Sequence, residues 1–144
     1  MNISFRDLTV YKKAFELTME IFESSKSFPK EETYSLTDQI RRSSRSVCTC
    51  IAEAYRKRKY EAYFVSESSD ADMENSETQV WLDFSYSCNY LSKAEYTRFF
   101  KKSEEVGNLL NRMIEFPEKY PRKNENFNNC SLPTDYCPFC RVSR

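Results

Sequence analysis

The sequence predicts an all-α fold: an antiparallel up-down-up-down four-helix bundle with an irregular C-terminal tail. Three observations predict it. Glycine occurs once and proline five times in 144 residues, too few turn formers for a sheet-rich fold with many tight turns. Apolar residues recur at three- and four-residue spacings in four separate stretches, the repeat of an amphipathic helix. The breaks between those stretches are short, which makes consecutive helices antiparallel neighbours. One domain is expected, with the bundle over residues 1–118 and an irregular or disordered polar tail over 119–144.

The first segment runs from about Asp7 to Ser25. Leu8, Tyr11, Phe15, Thr18 and Phe22 have the pattern of one buried helical stripe, and Val10, Ala14, Leu17 and Ile21 form a second beside it. Asp7 is the candidate N-cap. Pro29 ends the segment by disfavouring helical geometry at Phe28. The second segment runs from about Leu36 to Lys57, after a short turn at 30–34. Its apolar face is Ile40, Ser44, Val47, Ile51 and Tyr55.

The third segment runs from about Tyr60 to Tyr90 and carries two stripes. One is Val80, Trp81, Phe84, Cys88 and Leu91; the other is Phe64, Ala71, Thr78, Leu82 and Ser85. Together they cover about 200° of the helix, wider than the roughly 100° that one core contact needs. Such a helix is expected to touch its own bundle and something else. The fourth segment runs from about Lys93 to Phe116. "SKAE" at 92–95 matches a capping box, with Ser92 as N-cap and Glu95 reaching back. Tyr96, Phe99, Ser103, Val106, Leu110 and Met113 form a heptad-like seam. Gly107 sits mid-helix at a cost of about 1 kcal/mol against alanine, so close approach of another helix is expected there. Pro117 ends the segment.

Net charge is zero but unevenly spread. Residues 1–60 hold twelve bases and eight acids, residues 61–92 hold seven acids and no base, and residues 93–144 hold ten bases and seven acids. An acidic third helix between more basic segments points to pairing within the protein or an assembly, not to a chain-wide nucleic-acid surface. Histidine is absent, which removes the commonest general base and excludes Ser-His and Cys-His nucleophile schemes. No phosphate-binding or dinucleotide-binding glycine pattern occurs. No apolar run reaches the roughly 18 residues of a membrane span, and the N-terminal stretch is interrupted by Arg6, Asp7, Lys12 and Lys13, unlike a secretory signal. A cytoplasmic bacterial protein, with no cofactor, small-molecule substrate or membrane partner, is expected.

Three polar features invite a functional reading. Glu77 falls between Phe84 and Trp81 in helical angle, inside an apolar stripe. A buried lone carboxylate is costly, so it calls for a partner, with Arg41, Arg42 and Arg45 as candidates, or a raised pKa. It reads as an acid/base or metal carboxylate, or as an ion pair that fixes helix register or subunit docking; without a second ligand cluster the ion pair is preferred. The second feature is "IAEAYRKRKY" at 51–60. Glu53 lies at the margin of the apolar face, and the cations complement the helix dipole or bind phosphate beside Tyr55 and Tyr60. Arg41, Arg45, Arg56 and Lys59 fall within roughly 60° of one another on a straight helix. The third is cysteine. Cys48, Cys50 and Cys88 read as small buried groups. Cys130, Cys137 and Cys140 in the tail supply three thiols where a structural zinc site usually takes four ligands, so reduced thiols are preferred to zinc.

The stretches "FRDLTVYKKAFEL", "FPKEETYSLTDQIRRSSRSVCTCIAEAYRKRKY", "ETQVWLDFSYSCNYL" and "VGNLLNRMIEFPEKY" resemble, in order and spacing over about residues 5–120, the four-helix bundle family of proteins encoded in intervening sequences of bacterial 23S rRNA genes. The family's common Asn-Ile-Ala-Glu-Gly element stands here as "CIAEA", with Cys50 and Ala54 in place of Asn and Gly. The resemblance implies a left-handed up-down bundle that assembles as a ring, typically a homopentamer, without an assigned activity. A related accessory protein of diversity-generating retroelements is a basic pentamer that works with nucleic acid. The expected function is therefore a non-enzymatic homo-oligomeric interaction protein, with Arg42, Glu53 and Glu77 as its polar core. The alternative is an RNA-binding module using Arg41, Arg45, Arg56, Lys57, Arg58 and Lys59.

Overall fold

The computed structural model describes residues 4–120. Within them the chain is all-α, with four helices and no strand: α1 Thr9–Ser25, α2 Asp38–Lys57, α3 Glu61–Ser87 and α4 Lys93–Glu115. Short 3-10 turns at Phe5–Asp7, Lys30–Glu32 and Pro117–Lys119 and a single π-helical turn at Thr33–Thr37 join or flank them. Tyr120 closes the described chain by packing its ring on Phe64, centroids 5.3 Å apart.

Local chemistry accounts for the helix ends. At α4 the capping box forms as its sequence requires. The Ser92 hydroxyl accepts from the Glu95 amide at 3.1 Å, and the Glu95 carboxylate accepts from the Ser92 amide at 3.0 Å. Those bonds favour the ionised carboxylate and hold the Glu95 carboxyl below its ordinary pKa, with the backbone bond from Ser92 the largest cause. At the other end of the chain the sequence reading needs correction. Asp7 does not cap α1. It is the third residue of the preceding 3-10 turn, where Ser4 is the cap and the Asp7 carboxylate accepts from the Ser4 amide at 2.7 Å. Helix α1 starts two residues later behind Leu8, which offers no side-chain cap.

Helix α3 stops at Ser87, earlier than its periodicity suggests. Asn89 takes φ 60°, a left-handed conformation that asparagine tolerates better than most residues. The Tyr90 amide then reaches the Ser85 carbonyl at 2.8 Å, and the Asn89 amide reaches Tyr86 at 3.0 Å. This is the two-bond pattern of a Schellman ending. Cys88 is left exposed at the turn instead of buried in a helix.

Helices α1 and α2, α2 and α3, α3 and α4, and α4 and α1 pack against one another, with α2 and α3 the most extensive pair. Bridging pairs run in opposed order. Ser25 meets Arg41 while Thr18 meets Ser44 and Cys48. Arg42 meets Glu77 while Lys57 meets Glu67. Asp83 meets Tyr96 while Asn75 meets Ser103.

The interior divides into three layers. One apolar cluster comprises Val10, Ala14, Val47, Cys48, Ile51, Ala54, Phe64, Ala71, Val106, Leu110 and Met113. The other comprises Leu17, Ile21, Phe28, Leu36, Ile40, Leu82, Leu91 and Phe99. On every helix a small polar residue falls between them: Thr18 on α1, Ser43 and Ser44 on α2, Asn75 and Thr78 on α3, and Ser103 on α4, all buried. Their polar atoms are matched. The Thr18 hydroxyl donates to the Ser44 carbonyl at 2.9 Å, the Thr78 hydroxyl to Ser43 Oγ at 2.9 Å, and Asn75 and Ser103 bond each other twice. A void of about 10 Å³ sits in this belt, lined by residues that include Thr18, Ser44, Asn75 and Thr78, and has room for no ligand larger than a water.

The buried faces follow the periodicity, with one correction. Val10, Ala14, Leu17 and Ile21 face inward on α1, whereas the parallel stripe of Leu8, Tyr11, Phe15 and Phe22 stays at or near the surface; only Thr18 of that set is buried. Two apolar stripes fit one helix, but only one can point at the bundle axis. Gly107 lies where close approach was expected. A Cβ there would stand 3.3 Å from Asn75 Nδ2, so the missing side chain lets α4 close on α3.

Candidate interaction surface

The α2–α3 flank carries the polar cluster. Arg42 on α2 and Glu77 on α3 face each other because both lie toward the α2–α3 groove. Arg42 Nη2 donates to Glu77 Oε1 at 2.5 Å, Arg42 Nη1 lies 3.6 Å from Glu74 Oε1, and the Trp81 indole N–H donates to Glu77 Oε1 at 3.2 Å. Glu77 therefore has its partner. The Arg42 hydrogen bond holds its carboxyl below the usual carboxylate range, and the same bond raises Arg42. The side chains of Glu77 and Arg42 remain 36% and 51% exposed, so the pair lies at a rim and not in a core. Glu53 does not join it. It lies on the same flank of α2 but eleven residues, about three turns, along the helix from Arg42, and its side chain is exposed, which corrects its expected place in a polar core. Glu74 Oε2 is buried with no hydrogen-bond partner among the described residues.

Beyond this rim lies the outward ridge of α3. Met73, Val80 and Phe84 are 63%, 48% and 53% exposed, while Phe64, Ala71 and Leu82 on the opposite side of the same helix are 1% exposed or less. Trp81 is half-buried between the two and stacks obliquely on Phe84, centroids 5.9 Å apart. Tyr86 and Tyr96 stack at 4.6 Å, and Phe100 follows at 5.7 Å, which extends the apolar surface toward α4. Three large apolar side chains in a row on one exposed helix face make a candidate interaction surface, since isolated exposed apolar residues are ordinary and clustered ones are not. The sequence reading found Val80 and Phe84 but missed Met73, although its spacing of seven and eleven residues places it on the same face.

Helix α1 bears a second ridge. Phe15 and Met19 are 50% and 44% exposed, Tyr11 stacks on Phe15 at 6.0 Å, and Phe5 meets Tyr11 edge-on at 5.1 Å. A shallow depression beside them is lined by Phe15, Met19, Glu20 and Arg98, among others.

The basic residues on and just after α2 differ in their surroundings. The Arg41 and Arg45 guanidinium groups lie over the Phe22 ring at 4.8 and 5.6 Å, and Arg41 also donates to Ser25 Oγ at 2.8 Å. Lys57 is held by Glu67, whose hydrogen bond raises its pKa. Arg58 folds back over Tyr55 at 3.7 Å and donates to the Tyr55 carbonyl at 2.6 Å. Lys59 lies by Tyr60 at 5.9 Å, and Arg56 is exposed. Cys48 is buried, which pushes its thiol pKa up, and Cys50 is half-buried with the same shift. Cys130, Cys137 and Cys140 lie outside the described residues. Among the described residues no cluster of His, Cys, Asp or Glu could hold a metal ion, and no helix is long and apolar enough to cross a membrane.

Comparison with known proteins agrees with this architecture. A crystal structure from Bacteroides thetaiotaomicron VPI-5482, described as a protein with unknown function from the S23 ribosomal protein family, is similar with a TM-score of 0.67 and 27% identity, over 74% of this chain and 95% of that one. No curated protein matches the sequence. The family model of the 23S rRNA-intervening sequence protein matches residues 6–112. A match over that span takes in nearly all of the four-helix body, and the chain belongs to the 23S rRNA-intervening sequence protein family.

Proposed function

We propose that this protein is a non-enzymatic cytoplasmic interaction module that works as a homo-oligomer. Each chain supplies an antiparallel up-down-up-down bundle, a reading supported by the opposed order of the bridging pairs. The observation that carries the proposal is the exposure of Met73, Val80 and Phe84 on a helix whose other face is already buried. Leaving such a ridge in water forgoes about 25 cal/mol for each Å² that a partner would cover, and a second copy is the partner always present. Left-handed packing and a copy number of five are the family expectation. Light scattering at micromolar concentration tests the proposal. The expected mass is a multiple of 17.2 kDa, five for a pentamer; a single-chain mass at tens of micromolar overturns it.

Nucleic acid is the competing reading. One observation favours it: Arg41, Arg45 and Arg56 share one side of α2, beside the aromatic residues of α1. The engagement of Lys57 and Arg58 within the chain weakens it. RNA binding through this side falls steeply between low and physiological salt. Replacing Arg45 and Arg56 with glutamine lowers it further while helicity by circular dichroism stays unchanged. Absence of RNA binding at low salt removes this reading.

A further inference from the structure

The geometry points to a head-to-tail contact in which the α3 ridge of one copy seats on the α1 ridge of the next. This rests on the self-association proposed above and names which surfaces meet.

The two ridges are unlike each other and lie on opposite sides of the chain. Helices α1 and α3 each pack between α2 and α4, with no substantial contact to one another, so their outward faces point apart. A single exposed ridge invites a two-fold pairing in which the same patch meets itself. Two different ridges facing away from one another fit a heterologous contact, in which every copy offers one surface and accepts the other.

Charge matches the ridges to each other. Met73 to Phe84 runs about 16 Å along α3 and Tyr11 to Met19 about 12 Å along α1, at 1.5 Å per residue, so the α1 ridge fits within the length of the α3 ridge. Helix α3 carries seven acids and no base, and exposed Asp70 and Asp83 flank its ridge. Two copies pairing through α3 would set like charges against each other. On α1 the acids are already engaged: Glu16 and Glu20 with Lys102, Glu20 also with Arg98 at 3.3 Å, and Glu23 with Lys26 at 3.0 Å. Exposed Lys12 and Arg45 border the same ridge without an acid partner among the described residues. An acid-flanked ridge thus finds an apolar ridge with spare positive charge, a pairing that sets register and excludes the α3–α3 alternative.

Mixing two blocked full-length chains tests this. One carries Phe15→Glu and Met19→Glu; the other carries Val80→Glu and Phe84→Glu. These positions are exposed, so both chains keep wild-type helicity, and circular dichroism checks that first. A second pair with serine at the same positions serves if a glutamate pair loses helicity. Each blocked chain alone is expected to run as a single chain by light scattering. Their equimolar mixture is expected to form a two-chain species containing one of each, because each lacks only the ridge that the other retains. If the wild-type protein associates but the mixture stays as single chains, the head-to-tail contact is overturned and self-association stands. If the α1-blocked chain still self-associates, pairing is through α3 alone, and the contact is again overturned. If the wild-type protein is itself a single chain, the proposed function fails, and this inference with it.

Discussion

Asn75 and Ser103 clasp each other across the buried contact between α3 and α4. The Asn75 amide donates to the Ser103 carbonyl at 3.0 Å, and the Ser103 hydroxyl donates back to Asn75 Oδ1 at 3.0 Å. Asn75 is 3% exposed and Ser103 fully buried, so neither can turn to water. Removing one partner leaves the other unsatisfied in a low-dielectric interior. Asn75→Ala is expected to lower stability by about 1–3 kcal/mol in urea unfolding. Its effect should be non-additive with Ser103→Ala by at least ~0.5 kcal/mol, since the two form one unit. Additive effects would show that the two bonds do not act together.

Gly107 gives a sharper test of the same contact. In an isolated helix, alanine is favoured over glycine by about 1 kcal/mol. Here the new Cβ would sit 3.3 Å from Asn75 Nδ2, and Asn75 is held in place by Ser103. Gly107→Ala is therefore expected to destabilise the wild-type chain. In an Asn75→Ala background the obstruction is gone, and the same change is expected to stabilise. Thermal midpoints of the four chains read this reversal of sign directly.

The capping box at α4 predicts a local loss. Ser92→Ala removes a hydroxyl that accepts from the Glu95 amide, while the Glu95 carboxylate keeps its bonds from the Ser92 amide and the Ser24 hydroxyl. A cost of about 1 kcal/mol is expected, readable as a drop in denaturation midpoint. Asp7→Ala is expected to cost less, since that carboxylate serves a three-residue turn outside α1.

The Glu77 pair predicts an acid-side dependence. Its carboxyl is held below the usual range by Arg42. Its contribution to stability is thus complete above the unfolded-state pKa, about 4.3 for glutamate. It is lost as pH falls through the lower folded value. The stability difference between wild type and Glu77→Gln is expected to be at most ~1 kcal/mol at pH 7, because the pair is partly solvated and screened. It should vanish on acidification through that window. Trp81 is the only tryptophan and bonds to Glu77, so its emission is expected to shift over the same range. A pH-independent difference would show that the ion pair contributes nothing.

Much of this was legible before any coordinates. All four helices, the inward faces of α2 and α4, the Ser92–Glu95 cap and the crowding at Gly107 follow from spacing and residue type. The partner of Glu77 was narrowed to three arginines, and only the register of α2 against α3 selects Arg42. Glu53 was misplaced for a related reason: it shares the flank of Arg42 but stands about three turns along α2, and helical angle alone does not show that separation. The α1 aromatics were read as core because periodicity shows that a face is apolar, not what covers it. The central polar belt escaped altogether. Each serine or threonine alone looks like a gap in a hydrophobic pattern, and their alignment at one level emerges only when four helices are laid side by side.

That belt also gives the bundle a seam. Leu82 and Phe99 lie to one side of it, Phe64 and Met113 to the other, and at the level between them hydrogen-bonded side chains share the contact with Ala14, Leu17, Val47 and Val106. Loosening by halves, with one end fraying while the other keeps its shape, is the expected behaviour of such a seam. Amide exchange should reveal two neighbouring zones with different opening energies, meeting at Thr18, Ser44, Asn75 and Ser103.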